Sequence, residues 1–212
     1  MSETAMTQSY DVIVIGAGAA GLMCALTAGQ RGRRVLVLDH ANKAGKKILM
    51  SGGGYCNFTN LYASADNYLS ANPHFCKSAL SRYTPYDFLA MVEQHDIAYR
   101  EKNEGQLFCV EKARVILDML RSECDRAKVK IQLRTRIESI SRNAGFRLLT
   151  SHGQYACESL VVATGGLSIP TLGATGFGYD IARQFGLNVL ATRAALVPFT
   201  LSGKMQAKLA DL

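Results

Sequence analysis

Two hydrophobic periods organise the start of the chain. Asp11-Val-Ile-Val-Ile15 is a short, nearly continuous apolar run that ends at a glycine, the pattern of a strand buried on both faces. Ala19 to Arg31 then carries helix formers, with Leu22, Ala25, Leu26 and Gly29 on one face and Gly32 as a stop. Val35-Leu-Val-Leu38 is a second buried strand, ending at Asp39. Strand, tight turn, helix, strand is a βαβ unit, right-handed by default.

Asn42 to Asn60 is rich in glycine and turn residues, and its pattern supports no regular element. Helices are expected over Pro73 to Arg82 and Pro85 to Gln94, each with Pro in the first turn. Ile97 to Val110 mixes strand and turn residues. Glu111 to Arg126 is amphipathic, with Ala113, Ile116, Leu117, Leu120 and Cys124 at helical spacing. Short strands are expected at Val129–Leu133, Ile137–Ser141, Phe146–Thr150 and Tyr155–Cys157: a parallel return strand, then a small antiparallel meander. Leu160 to Ala163 reads as another buried strand running into Thr164-Gly165-Gly166. A helix over Gly178 to Phe185 stops at Gly186, and strands follow at Val189–Leu190 and Val197–Leu201.

The fold class is therefore α/β, a Rossmann-like FAD/NAD(P)-binding domain with a parallel central sheet and a small antiparallel β-meander. Residues 1–190 form that domain, with a helical insertion at about 61–110 and the meander at about 136–158. Residues 191–212 read as the start of a second domain.

Composition agrees with a buried core, since 48% of residues are apolar and only 19% charged. The formal charge of +7 is uneven, with basic blocks at Arg31–Lys47 and Arg121–Arg147. Such blocks suit a phosphate-rich partner, cofactor or RNA, and equally a solvated surface. The six cysteines form no CxxC pair and the histidines no HxxxH pair, so zinc and iron–sulfur sites are not expected. Reduced thiols in a cytoplasmic protein are the simplest account. Val12 to Gln30 is uncharged and long enough to span a bilayer, but its four glycines and the lack of a preceding basic residue favour strand, turn and packed helix over a membrane segment.

Gly16-Ala17-Gly18-Ala19-Ala20-Gly21 carries the strongest chemical signal. It joins a strand to a helix, with Asp39 18 positions beyond the last glycine, at the end of the next strand. Gly16 makes the tight turn, Gly18 lets a diphosphate approach, and Gly21 lets the helix pack on the strand. The helix N-terminus offers free amides and partial positive charge to that diphosphate. Asp39 is placed for ribose hydroxyls. The motif suits FAD or NAD alike, and a bare structural turn remains an alternative. Thr164, Gly165 and Gly166 favour FAD, because a second glycine doublet beside the first loop lets backbone approach the flavin nucleotide; an ordinary strand-end turn is the competing reading.

A third glycine cluster, GKKILMSGGGYCNFTN, has backbone donors at Ser51, Gly52, Gly53 and Asn57, and Lys46 and Lys47 to neutralise phosphate. A flexible surface loop would also explain it. Cys56 is the candidate catalytic group, a thiol able to donate a proton or touch the flavin, against the alternative of a small packed residue. Ile137, opening the meander, completes the set of cofactor-binding candidates.

The run GKKILMSGGGYCNFTN closely resembles the signature of the YhiN/BaiN flavoproteins, as does ATGGLSIPTLGATGFGYDIARQFGLNV; the likeness extends through NPHFCKSALSRY and GQLFC over essentially the whole chain. The resemblance implies an FAD-dependent oxidoreductase fold with an inserted second domain. It also implies reduction of electron-poor C=C bonds, including a steroid enone and a uracil ring in ribosomal RNA, with NAD(P)H as reductant. Two departures stand out. Tyr55 replaces the arginine usual after the three glycines, removing a charge-assisted contact. The chain also ends at Leu212, about half the family's length, which reads as truncation before the inserted domain. Three functions follow as expectations: a flavin-dependent reductase acting on a small molecule or RNA, a nicotinamide-only dehydrogenase, or an inactive fragment.

Overall fold

The computed structural model describes residues 7–194. These divide into two compact units, with the boundary between Gly178 and Tyr179.

The larger unit opens with β1 (Gln8–Ile15), α1 (Ala19–Gln30) and β2 (Val35–Leu38), close to the expected βαβ unit. β1 and β2 pair in parallel from Val12↔Val35 to Ile15↔Leu38. Leu22, Ala25 and Leu26 of α1 are buried against the sheet, as their spacing requires.

The stretch read as irregular is structured. It holds α2 (Lys46–Met50), a tight 3-10 turn over Ser51–Gly54 and β3 (Asn57–Asn60). A five-residue helix cannot stand on propensity alone. Here the Gly45 N–H donates to the Ala17 carbonyl (2.8 Å) and Ile48 is buried, so docking makes the helix.

The insertion is also more than helical. α3 (Lys77–Arg82) starts four residues after Pro73, because Asn72 takes the preceding amides: its Oδ1 accepts from His74 N–H (3.0 Å) and its carbonyl from Phe75 N–H (3.1 Å). α4 (Pro85–Gln94) begins where expected, behind a capping box in which Thr84 and Asp87 satisfy each other. β4 (Tyr99–Glu101) and β5 (Gln106–Cys109) then join β3 in a separate antiparallel sheet, order β3-β5-β4. α5 (Arg114–Arg126) buries Ile116, Leu117, Met119, Leu120 and Cys124. Its first turn starts at Arg114, with the Ala113 amide, which no helical carbonyl could accept from, donating to the Gly54 carbonyl (2.8 Å).

β6 (Lys130–Gln132), β7 (Ile137–Arg142), β8 (Phe146–Thr150) and β9 (Gly153–Val162) complete a six-stranded sheet, order β6-β2-β1-β9-β8-β7. Four strands are parallel and the last two pairings antiparallel. The two strands expected around Tyr155 and Leu160 are one continuous strand. β1 runs beside it from Tyr155 to Val162, but β8 pairs only as far as Cys157. The expected burial of Leu160–Ala163 therefore fails: past Cys157 the outer edge is open, and Val162 is 42% exposed.

Val14, Val35 and Val37 meet Leu22, Leu26, Ile116, Leu120 and Cys124 in one core between the sheet and the helices α1 and α5. That core extends to Cys56, Val92 and Cys109, so the small sheet leans on the large one. α6 (Phe177–Gln184) is followed two residues later by Gly186, which has φ +78°. Residues 187–194 form no strand, correcting the expectation for Val189–Leu190: a two-residue apolar pair beside Asn188 finds no strand to pair with. The strand expected at Val197–Leu201 and most of 191–212 lie outside the described residues. No helix among the described residues is long and apolar enough to cross a membrane.

Candidate functional site

The parallel strands deliver their C-terminal ends to one edge, and the glycine loops gather there. The Ile15 carbonyl accepts from the Ala163 N–H (2.8 Å), which sets the Thr164-Gly165-Gly166 turn directly beside the Gly16–Gly21 turn. That proximity fixes two glycines sterically. A Cβ on Gly16 would run into the Ala163 carbonyl oxygen, and Gly16 also has φ +112°. A Cβ on Gly21 would strike the Gly16 carbonyl oxygen.

Gly18 is different. Its φ is −87° and a Cβ would meet no protein atom within 4 Å. Nothing in the fold demands a glycine there; what needs its bareness lies outside the protein. The amides of Gly18, Ala19 and Ala20 open α1 without an acceptor among the described residues. The residues present thus fit a diphosphate set against a helix N-terminus.

Asp39, half-buried at the end of β2, has a structural role that its sequence position did not announce. Its Oδ2 accepts from the Ala17 N–H (2.7 Å) and its Oδ1 from the Ala41 N–H (2.8 Å), so the carboxylate clamps the glycine turn. The Ala17 amide is therefore not available to a phosphate. Each carboxylate oxygen keeps a lone pair free.

Two clefts meet at this point, sharing Gly16, Asp39, His40, Thr164 and Gly173. The first, about 440 Å³, is lined by Gly16, Ala17, Gly18, Ala19, Ala20, Asp39, Lys46, Lys47, Ser51, Cys56, Asn57, Thr164 and Gly165. The second, about 380 Å³, contains Ile137 with Thr135, Arg136 and Phe177. A continuous groove on both sides of Asp39 has the shape an extended dinucleotide needs. Gly21, Gly52, Gly53 and Gly166 do not line it. Gly21 packs behind the turn, Gly52 and Gly53 sit on the exposed side of the Ser51–Gly54 turn, and Gly166 gives its carbonyl to Lys47.

Lys47 bridges two loops, its Nζ donating to the Gly166 carbonyl (3.2 Å) and to Ser168 Oγ (3.0 Å). Cys56 is buried at the cleft wall with φ +51°. Burial raises its thiol above the ordinary value, and the Ser51 hydroxyl offsets this only in part. The thiol is neutral near pH 7.

Ile116 and Leu120 of α5, with Phe58 and Phe88, form the apolar wall of the first cleft. The α5 pair belongs to the core, as its helical spacing implies, and also reaches the cleft wall, which spacing alone does not show. His40 follows Asp39 and lines both clefts, and only its adjacency to the acidic residue could have marked it.

Fold and groove together define a Rossmann-type protein with a dinucleotide cradle at the carboxyl edge of a mixed sheet. The chain belongs to the HI0933-like protein Rossmann domain family, whose model matches residues 10–207. It is 57% identical over 195 residues to the ribosomal RNA dihydrouridine synthase of Escherichia coli strain K12, covering 92% of this chain and 49% of that protein. It is 29% identical over 203 residues to the 3-dehydro-bile acid delta(4,6)-reductase of Clostridium scindens, covering 94% of this chain and 49% of that one. The chain spans about half the length of the curated relatives it matches. Among solved structures, the open conformation of a flavocytochrome c3 fumarate reductase superposes with TM-score 0.59 at 20% identity, over 84% of this chain and 41% of that one, a likeness of fold.

Proposed function

We propose that this chain carries the FAD-binding part of a flavin-dependent reductase that uses NAD(P)H to saturate an activated C=C bond, with a uracil ring of ribosomal RNA as substrate. The observation that carries the reading is Gly18, bare and facing open space beside unpaired helix amides. The E. coli relative is named for making dihydrouridine, a pyrimidine with its ring double bond reduced, and the C. scindens relative for reducing a bile acid. A cytoplasmic setting belongs to this reading; all six cysteines are unbridged.

The bound flavin would supply hydride chemistry. The chain's own residues bind and orient. The Gly18, Ala19 and Ala20 amides and the dipole of α1 face the diphosphate, and the Lys46 ammonium adds charge at the same cleft. Asp39 holds the turn and turns its remaining lone pairs to a ribose. Gly165, Ser51, Cys56 and Asn57 line the cleft where the rest of the cofactor would lie. Cys56, kept neutral by burial, is suited to donate a proton to the carbon next to the hydride acceptor, not to attack as a thiolate.

The purified protein is expected to be yellow, to bleach anaerobically with NADPH, and to convert uridine in ribosomal RNA to dihydrouridine, read by a mass gain of two hydrogens. A colourless protein that takes up no FAD overturns the proposal. Cys56→Ala should keep the colour and the bleaching while product formation falls on the order of 100-fold. Unchanged turnover would reduce Cys56 to a packing residue.

A further inference from the structure

The small sheet has two unlike faces. Phe58 of β3 and Tyr99 of β4 turn inward, with ring centroids 6.0 Å apart, and Phe58 stands 6.0 Å from Phe88 of α4. Alternation sends the intervening residues outward. Arg100 and Phe108 are cross-strand partners on that side of the sheet, Arg100 exposed and Phe108 buried beneath its neighbours. Lys102 Nζ lies 4.3 Å from the Phe108 ring centroid, Lys112 Nζ 4.0 Å from the Tyr55 centroid, and Arg100 Cζ 6.0 Å from the same Tyr55 ring.

Arg100, Lys102 and Lys112 are all exposed, and none has a carboxylate at ion-pair distance among the described residues. Phe108, beneath Lys102, is buried, so the ring this face offers is the half-buried Tyr55, with three cations beside it that lack an ion-pair partner among the described residues. Hydrogen bonding from Lys112 and its charge, with a smaller contribution from Arg100, hold the Tyr55 phenol below its ordinary value. Tyr62, 68% exposed, lies against Gly105 in the connection between β4 and β5 and adds another open ring beside the patch.

The patch adjoins the cleft. Cys56, next after Tyr55, lines the cleft wall, and Asn57, which pairs with Phe108, lines it too. An anionic polymer with planar bases meets both halves of this surface, the cations through phosphates and the rings through stacking.

We propose that this outer face is a contact surface for single-stranded RNA, in which Arg100, Lys102 and Lys112 take phosphates while Tyr55 and Tyr62 stack unpaired bases flanking the reacting uridine. The inference rests on the reading that the substrate is RNA. It also gives Tyr55 a use: the arginine that the resemblance leads one to expect is replaced by a ring that two neighbouring cations serve.

The test is fluorescence anisotropy of a labelled single-stranded oligouridylate against the purified protein across a range of salt concentrations. The R100A/K102A/K112A variant should raise Kd about tenfold or more and lower the slope of log K against log salt by about 2, near 0.7 per lost phosphate contact. Tyr55→Ala should weaken binding several-fold with the salt slope unchanged, since stacking releases no counterions. Arg31→Ala with Arg33→Ala, on the first basic block at the C-terminal end of α1, should change Kd less than twofold. Thermal unfolding of each variant checks that its fold is kept; if the triple variant unfolds, the single charge reversal Lys112→Glu replaces it. The proposal is overturned if wild type does not bind the oligonucleotide, if the triple variant or its replacement binds as wild type does, or if the Arg31/Arg33 pair carries the affinity. Visible absorbance separates this outcome from the parent reading: a yellow protein indifferent to the patch variants loses only the RNA surface, whereas a colourless one loses the flavin.

Discussion

The two glycine loops at the cleft edge are built on opposite terms. In Gly16–Gly21, the outer glycines are demanded by backbone: each lies where a methyl would strike a carbonyl oxygen that hydrogen-bonded strands hold in place. In Ser51–Gly54, the demand on Gly52 is mixed. A methyl added there would lie 2.7 Å from the Phe108 ring and 2.6 Å from the Asn57 amide nitrogen. The first loop is therefore rigid by construction, the second largely by packing. Gly18 stands outside both cases, required by neither backbone nor side chain.

Four substitutions sharpen or break this contrast. Gly21→Ala should cost the most, at least about 3 kcal/mol, because the Gly16 backbone carbonyl, in the tight turn that ends β1, cannot step aside. A midpoint close to wild type in urea unfolding would show that α1 can lift off the strand. Gly52→Ala should cost about 2 kcal/mol: the residue has φ +57°, but Phe108 can rotate to relieve part of the clash. A loss equal to that of Gly21→Ala would erase the distinction between the loops.

The third probe reaches the second loop through α5, which holds Gly54 through the Ala113 amide. Glu123 near the other end of α5 accepts from His95 (2.7 Å) and pairs with Arg126 (2.7 Å). Burial raises the Glu123 carboxyl, but His95 and Arg126 outweigh it and leave the value lowered. A carboxyl lowered in the folded state stabilises above its unfolded value, about 4.3, and loses that contribution as pH falls through the folded value. Glu123→Gln should therefore cost about 1.5 kcal/mol at pH 7 and progressively less below about pH 4. A difference independent of pH in urea titrations from pH 7 to 3 would contradict the assignment.

Gly18→Ala should show the smallest effect on stability, within about 0.5 kcal/mol, since its extended backbone (φ −87°) suits alanine and the site is open. The same substitution should abolish the yellow colour on reconstitution with FAD. Retained flavin at wild-type affinity would mean that the diphosphate does not pass over Gly18.

The legibility of the sequence follows the same division. β1, α1 and β2 were readable because their own strand and helix periods, with the glycine turn between them, admit one arrangement. The cradle residues Gly16, Gly18 and Asp39 followed from that frame. α2 and β3 were not readable: one exists because Gly45 docks on Ala17, the other because it pairs with β5 some fifty residues later. Local pattern holds no trace of either event.

From the chain alone come the βαβ unit, the glycine turn and the acidic residue that ends the second strand, because backbone sterics and hydrophobic period act over short separations. The tertiary structure alone decided that Asp39 clamps the turn, that β9 runs unbroken past an open edge, and that Tyr55, Arg100, Lys102 and Lys112 share one face. Those features join residues distant in sequence, and only the packed chain brings them within the few ångströms at which charge, hydrogen bonds and ring contacts act.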